Sequence, residues 1–183
     1  VARPVAAHIF DKKLAKQLSF EAYFDFLLAW QLAHSLVPGS IELPGGIQVS
    51  ARTQLRGRHT FIDGVRGEVI GLLNYFYLVD KGALKKKNPK AMAVTYLTSL
   101  FDSARLAEAS PQTLAKTIVY NYLAQHWVFR YNPHTTKFEV NAPAMRSAVK
   151  KLAAETLEIL ARADSHRARR LIVHAGFIPR VPP

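Results

Sequence analysis

The residues whose types and spacing come closest to a chemical site lie in the stretch Trp30 to His34, which reads WQLAH. Residues four apart lie on the same face of an α-helix, so Trp30 and His34 would project side by side, with Gln31 adjacent. In helical zinc sites of the pattern H-E-x-x-H, two histidines at this spacing bind the metal and the glutamate activates a bound water. Here an indole replaces one imidazole and an amide replaces the carboxylate. The spacing of such a site is present, but most of its chemistry is not.

The helix that must position these residues is predicted to begin at Ser19 and to end at Pro38-Gly39. Ser19 is a good N-cap residue, and Glu21 follows it in the first turn. Large apolar side chains recur at helical spacing, namely Phe20, Tyr23, Phe24, Leu27, Leu28 and Trp30. This density of apolar residues predicts a helix that is largely buried.

The rest of the chain predicts five further helices and one clear hairpin. Apolar periodicity and cap residues predict helices over 61–79, 91–107, 111–126, 141–163 and 165–176. Alternating aromatic residues on both sides of a turn predict a hairpin over 127–140, whereas residues 39–52 predict a loop, with a small hairpin left open. The predicted fold class is therefore mainly α: a single helical domain over 1–183 with one β-hairpin, an N-terminal extension at 1–8 and a C-terminal tail at 177–183.

Several segments, in order, resemble the dipeptidyl peptidase III family of zinc peptidases. The run SFEAYFDFLLAWQLAHSLVPGSI is similar to the family's metal-binding helix, where bacterial members carry H-E-L-S-H-G-L-G-P-G. The family's second motif, E-E-x-[KR]-A-[DE], is similar to DGVRGE at residues 63–68. Later segments such as TIVYNYLAQHWVFRYNPHTTKFEV also resemble the family's C-terminal part. The resemblance runs from about Ile9 to Pro179 and implies the helical, zinc-carrying lobe of these enzymes.

The resemblance also implies which residues occupy the family's catalytic positions. It assigns the first histidine ligand to Trp30, the general base to Gln31, the second histidine ligand to His34 and the third ligand to Gly64. An indole offers no lone pair to zinc, a neutral amide cannot accept a proton from water, and glycine has no side chain. A family histidine that follows Glu-Ala is replaced by Ser110. The resemblance therefore implies a catalytically degenerate domain with no catalytic residue, metal, cofactor or small-molecule substrate.

Two other interpretations of the site remain open at this stage. A metal site rebuilt from His34, His59, Asp63 and Glu68 would make the chain a divergent zinc-dependent peptidase. A peptide-binding module would keep an exposed apolar groove beside Trp30 and Gln31, whereas a structural role would let Trp30 pack as core. The chain matches only one lobe of the two-lobed family, and His34 is predicted to be a core or loop histidine held by hydrogen bonds.

Charge is the most informative feature of the composition: 25 Lys and Arg against 13 Asp and Glu give a net charge of +12. Such a balance predicts an acidic partner, of which RNA is favoured. The sequence has no cysteine and no apolar run long enough to span a membrane. The basic residues form four clusters: Lys12, Lys13 and Lys16; Arg52, Arg56 and Arg58; Lys81, Lys85, Lys86, Lys87 and Lys90; and Arg162, Arg167, Arg169 and Arg170.

Together these features predict a non-catalytic pseudopeptidase domain that serves as a structural subunit of a ribonucleoprotein, such as a mitochondrial ribosome. Its partners would be ribosomal RNA, whose phosphates the basic clusters contact, and neighbouring protein subunits. The alternative is an accessory subunit of a respiratory or other membrane complex, with the same clusters facing anionic lipids. No secretory signal is visible at the start of the sequence, and a mitochondrial location is predicted.

Overall fold

A computed structural model of the chain describes residues 2–35, 40–43, 45–85, 89–106 and 110–175. The described residues form helices and two small antiparallel hairpins, which confirms the predicted mainly α class. In chain order the elements are α1 (Ala2–Ile9), α2 (Lys12–Ala15), α3 (Phe20–Ser35), β1 (Ile41–Leu43), β2 (Ile47–Val49), α4 (Ala51–Leu55), α5 (Gly57–Asp80), α6 (Pro89–Leu106), α7 (Pro111–Gln125), β3 (Phe129–Asn132), β4 (Lys137–Val140), α8 (Ala142–Arg162) and α9 (Ser165–Ala175).

Helix α5 is the central element of the fold. It packs against α3, α7, α8 and α9, and its buried Val65, Val69 and Leu72 recur at helical spacing. Tyr75 on α5 and Leu97 on α6 are buried as well. Because α5 touches most of the other helices, it fixes the position of anything that lies on its surface.

Three of the predicted helix starts are confirmed by their caps, whereas α5 and α6 begin at Gly57 and Pro89, before the predicted positions 61 and 91. Side-chain oxygens of Ser19, Ser110 and Asn141 accept hydrogen bonds from the backbone N–H groups of Ala22 (3.1 Å), Thr113 (3.2 Å) and Ala144 (3.4 Å). Each cap satisfies a donor that has no partner within its own helix. The sequence missed α1, α2 and α4, which are short. The predicted extension at 1–8 overlaps α1, which packs against α6, and the predicted tail at 177–183 lies outside the described residues.

The hairpin predicted over 127–140 is present as β3 and β4, with Phe129 opposite Val140. Trp127, however, was wrongly predicted to belong to its first strand. Trp127 instead ends α7 in the left-handed conformation, with a φ of 59°, and its side chain is 65% exposed. Its N–H donates to Ala124 O and the N–H of Val128 donates to Leu123 O, as in a common helix C-cap. The small hairpin left open for 39–52 is present as β1 and β2.

Helix α3 is not largely buried, which corrects the sequence prediction. Phe20, Phe24, Leu28 and Leu32 are between 50% and 80% exposed, and we call these four residues the α3 apolar face. The buried side of α3 consists mainly of Ala22, Ala29 and Ala33, together with Phe26. Because the small residues face the core, α3 approaches its neighbours closely and its larger side chains point outward. Periodicity could not reveal this arrangement, since apolar residues occupy every side of the helix.

None of the described helices is long and apolar enough to cross a membrane.

Candidate functional site

The candidate site lies where α3 and α5 pack side by side in opposite directions. Asn74 Nδ2 donates to Ala29 O (3.3 Å), and Arg66 Nη1 donates to Ala33 O (2.7 Å), so later residues of α5 meet earlier residues of α3. A Cβ added at Gly71 would lie 2.9 Å from Trp30 Cα, which is closer than real Cβ contacts allow. Glycine at this position therefore lets the backbones of the two helices approach each other.

Trp30 and His34 lie side by side, as their spacing predicts. Their ring centroids are 4.2 Å apart and the rings are nearly perpendicular. The Trp30 indole is half-buried and packs against the core, and its Nε1–H is buried without an acceptor among the described residues. His34 is exposed on the last turn of α3, which corrects its predicted position in the core or a loop, and it makes no hydrogen bond to the described residues.

The imidazole of His34 is turned toward the backbone of α5. A Cβ added at Gly67 would lie 2.9 Å from His34 Nε2 and 3.4 Å from Trp30 Nε1. His34 Nε2 and Trp30 Nε1 thus both face Gly67 on α5. Gln31 is exposed to solvent. An indole N–H can only donate, so of these two rings only the imidazole could coordinate a metal.

The position that the resemblance assigns to the third ligand is closed. Gly64 lies on α5 against α7, and a Cβ added there would lie 2.8 Å from Ala115 Cβ. Real Cβ atoms essentially never approach other atoms so closely. A side chain long enough to carry a carboxylate would therefore require α7 to move away from α5.

The charged residues beside Gly64 are engaged in internal contacts. Arg66 is 2% exposed; its Nε donates to Asp63 Oδ1 (2.8 Å) and its Nη1 donates to Ala33 O, while Nη2 is buried without a partner among the described residues. This buried guanidinium ties the start of α5 to the end of α3. The Arg66 guanidinium thus positions the two helices and is itself the cation that pairs with Asp63.

Glu68 is turned into the core and away from this surface. It is 3% exposed, and its Oε2 accepts a hydrogen bond from the Tyr96 hydroxyl (2.8 Å). Burial raises the pKa of Glu68 above its ordinary value, and the charge of Lys116 and the Tyr96 hydrogen bond only partly oppose this rise. The pKa of the Tyr96 phenol is raised well above its ordinary value, first by burial and then by Glu68, so this hydroxyl remains the donor.

These placements bear on the alternative metal set of His34, His59, Asp63 and Glu68. Among the residues that the structure describes, no group of three or more His, Asp or Glu side chains is arranged to hold a metal ion. His59 is near Asp63, but burial lowers the pKa of its imidazole more than that carboxylate raises it. The structure therefore does not bring the four residues together.

A cavity of about 480 Å³ between α1, α3 and α6 was not predicted from the sequence. Its lining includes Tyr23, Asp102 and Arg3, with Phe20 from the α3 apolar face. Burial raises the pKa of Tyr23, and the charges of Glu68 and Asp102 raise it further. The lining residues come from distant parts of the chain with no shared spacing, so no sequence signal could have identified the cavity.

The basic clusters differ in their exposure and in whether folding brings them together. Lys12, Lys13 and Lys16 are exposed on and after α2; Lys85 and Lys90 are exposed, and Lys86 and Lys87 lie outside the described residues. The second and fourth clusters meet, because Arg58 Nη1 donates to Ser165 Oγ (3.1 Å) and α4 packs against both α8 and α9. We call the exposed residues of these two clusters the arginine face, namely Arg52, Arg56, Arg58, Arg162, Arg169 and Arg170. Arg167 is half-buried and forms a salt bridge with Glu158 (2.6 Å). It is therefore less available to an RNA or other acidic partner than the sequence predicts.

Solved structures define the class of fold to which this arrangement belongs. A structure of dipeptidyl peptidase III from Caldithrix abyssi matches 96% of this chain with a TM-score of 0.89 and 24% identity, and the match covers 33% of that protein. A structure of dipeptidyl-peptidase III from Corallococcus sp. strain EGB matches 96% with a TM-score of 0.88 and 27% identity, covering 32% of that protein. The chain therefore has a dipeptidyl peptidase III-like fold and corresponds to the helical lobe of those enzymes.

Sequence comparison gives a relative of a different name. Nudix hydrolase 3 from Arabidopsis thaliana is 26% identical over 172 residues, which is 94% of this chain and 22% of that protein. No model of a known protein family matches the chain. The chain thus spans about a third of the solved structures and about a fifth of this relative.

Proposed function

We propose that this chain is a non-catalytic domain with a peptidase-like fold that serves as a structural subunit of a ribonucleoprotein, such as a mitochondrial ribosome. The observation that carries the proposal is the closure of position 64, where even a Cβ would meet Ala115 at 2.8 Å. Peptide hydrolysis at zinc requires three protein ligands and an activated water. Here the four assigned positions hold an indole, an exposed amide, one imidazole and a glycine without room for a side chain.

Two surfaces support membership of an assembly. The arginine face gathers six exposed guanidinium groups on one part of the molecule, as contact with RNA phosphates would require. The α3 apolar face exposes two phenylalanines and two leucines, with the Phe20 and Phe24 rings stacked 6.3 Å apart. Contiguous apolar patches on a soluble chain mark surfaces that other protein covers. A subunit held between RNA and protein neighbours would use both.

The loss of catalysis is tested by metal analysis of the purified full chain after incubation with zinc and dialysis. We expect far less than one zinc per chain and no hydrolysis of unblocked oligopeptides. The variant His34→Ala should bind the same trace of zinc as His134→Ala, which removes an exposed histidine in the β3–β4 turn. One zinc per chain, lost in His34→Ala and retained in His134→Ala, would contradict the proposal and favour a divergent peptidase.

The mitochondrial location is tested separately, by fractionation of the source cells with protease protection. We expect the chain inside purified mitochondria and resistant to protease until the inner membrane is opened. Recovery in the cytosolic fraction would remove the mitochondrial setting and leave the structural role to be judged on the RNA and metal measurements.

A further inference from the structure

Folding assembles the arginine face from two parts of the chain that are far apart in sequence. Arg58 follows the junction between α4 and α5, and the serine to which it donates, Ser165, begins α9 more than a hundred residues later. Arg52 lies on α4, whereas Arg169 and Arg170 lie on α9, which packs against α4. A surface that depends on this tertiary contact is a property of the folded domain and would be lost on unfolding.

The charges of this face are not neutralised within the molecule. Among the described residues, none of the six arginines forms a salt bridge with a carboxylate, although Arg162 is near enough to Glu158 to lower its pKa. Glu158 is itself bound by Arg167, whose hydrogen bond and charge are the main causes of that lower pKa. Asp164 accepts a hydrogen bond from the Arg167 backbone N–H (2.9 Å) at the start of α9. Glu158 is thus paired with Arg167, and among the described residues no carboxylate forms a salt bridge with the exposed arginines of this face.

The backbone at Arg56 provides an independent observation. Arg56 has a φ of 51° and a ψ of −132°, a conformation that favours glycine, and it is exposed at the junction of α4 and α5. A non-glycine residue in such a region persists where the surrounding structure imposes it, and such residues are concentrated at functional sites. Glycine occupies the next position, 57, which does not need it, while arginine occupies the strained one.

We infer that the arginine face is the surface that binds the RNA phosphate backbone, in preference to the lysine clusters at 12–16 and 85–90. This inference rests on the proposed function and specifies which surface performs it. A guanidinium group presents a planar set of donors that can bind two phosphate oxygens at once, whereas a lysine ammonium acts as a point charge. Six such groups on one folded surface would hold a phosphate backbone without reading its sequence.

The packing of α9 favours RNA over an anionic membrane. Basic amphipathic helices bind bilayers by inserting an apolar side while the basic side faces the headgroups. The apolar side of α9, formed by Ala168, Leu171 and Ala175, is buried within the protein, and Val173 is the exposed large apolar residue of this helix. What α9 presents outward is therefore charge with little apolar surface to insert.

The test measures binding of a 20-base-pair RNA duplex to the full chain by fluorescence anisotropy across a series of KCl concentrations. The double variant Arg169→Glu and Arg170→Glu should weaken binding about tenfold or more at 0.1 M salt, and its log–log salt slope should be shallower by about 2. The control, Lys12→Glu and Lys13→Glu, makes the same change in net charge on a different exposed surface. It should change the affinity less than about threefold if the arginine face carries the contact.

A second pair of variants separates charge from backbone geometry at position 56. Arg56→Gly relieves the strained backbone, so its unfolding temperature should rise while its RNA affinity falls severalfold. Arg56→Lys keeps the positive charge but loses the planar guanidinium donors, so its RNA affinity should lie between those of the unaltered chain and of Arg56→Gly. Unchanged RNA affinity in Arg56→Gly would remove this residue from the interface.

The outcomes distinguish the inference from the proposed function on which it rests. Equal losses in the arginine and lysine pairs, or a larger loss in the lysine pair, would overturn the arginine face while leaving an RNA-bound subunit intact. Binding to phosphatidylcholine vesicles containing cardiolipin, without binding to RNA, would overturn it in favour of a membrane surface. If the unaltered chain bound neither RNA nor vesicles, and isolated alone from its source, the proposed function itself would be contradicted.

Discussion

Gly64 and Gly67 lie on α5 beside the candidate site, and each faces a neighbouring helix. Gly67 faces the rings of Trp30 and His34, and Gly64 faces Ala115 on α7. Glycine is unfavourable in the interior of a helix, so its presence at both points has a packing reason. At position 64 a side chain would push α5 and α7 apart, whereas at position 67 it would displace the His34 ring.

Gly64→Ala should therefore destabilise the fold by about 1–3 kcal/mol, because the added methyl group meets Ala115 at 2.8 Å. The matched control is Gly57→Ala at the start of the same helix, where nothing lies within 4 Å of the added Cβ. That substitution should leave stability unchanged or raise it by up to about 1 kcal/mol, since alanine restricts the unfolded chain. Urea denaturation of both variants makes the comparison, and equal stability of the two would show that position 64 is open.

Glu68 predicts how stability depends on pH. Burial raises its pKa in the folded state, so the folded protein holds this proton more tightly than the unfolded chain does. The contribution of Glu68 to stability therefore falls as pH rises above the ordinary value of 4.5, and levels off above the raised pKa. Each unit of upward shift corresponds to about 1.4 kcal/mol.

Glu68→Gln should remove this contribution, because an amide oxygen can still accept the Tyr96 hydrogen bond but carries no charge at any pH. The urea midpoint of the variant should vary less with pH than that of the unaltered chain between about pH 4.5 and 8. At pH 8 the variant should be the more stable of the two. Parallel pH profiles would mean that Glu68 is not the group responsible.

At the residue scale the sequence predicted the side-chain types of the site and their spacing, but not their contacts. The i to i+4 relation of Trp30 and His34 is fixed by helical geometry, and the contact between their rings follows from it. The partner of Glu68 is 28 residues away on another helix, and the closure of Gly64 depends on α7. Such relations arise only when helices pack, so periodicity within one segment carries no information about them.

Helix α3 shows at the element scale how packing can reverse an expectation based on periodicity. Its N-cap was predicted but its orientation was not, and its predicted end at Pro38-Gly39 lies outside the described residues. The sequence marks Phe24 and Leu28 as core, whereas they are 51% and 50% exposed and the alanines face inward. By contrast, the residues that α8 buries recur at helical spacing on one face, including Met145, Leu152 and Ile159. A helix that is apolar on all sides has no pattern that selects its buried face.

Two phenylalanines on α3 test which face of this helix is buried. Phe26→Ala should cost about 3–5 kcal/mol, because Phe26 is 3% exposed and packs edge-on against Tyr96 with ring centroids 5.4 Å apart. Phe24→Ala should cost no more than about 0.5 kcal/mol in the isolated chain, as expected for an exposed position. Thermal or urea unfolding measures both. Similar large losses would mean that α3 is rotated from the orientation described here.

The same Phe24→Ala variant should lower incorporation of the chain into its assembly if the α3 apolar face is covered by a protein neighbour. Tagged unaltered and variant chains expressed side by side in the source cells would be compared in the high-mass fraction. The variant should be depleted there although it is as stable as the unaltered chain. Equal incorporation would place this helix outside the subunit interface.

At the scale of the whole molecule, the net charge of +12 was readable from composition, but its distribution was not. The sequence predicted four separate clusters, and folding joins the second and fourth through the contact of α4 with α9. It also withdraws Arg167 into a salt bridge with Glu158. The mainly α class and the dipeptidyl peptidase III-like fold could be predicted because many segments resemble that family, in the same order, along nearly the whole chain. Surfaces made by distant segments have no equivalent signal.

The most direct test of a structural role in a ribonucleoprotein is to isolate the protein from its native source at low salt and sediment it before and after ribonuclease treatment. We expect co-migration with a large RNA and several proteins, and release into lighter fractions once the RNA is digested. Migration with respiratory subunits, unaffected by ribonuclease, would contradict it in favour of a membrane complex. A free species of 20.5 kDa carrying one zinc ion per chain would contradict both the structural role and the loss of catalysis.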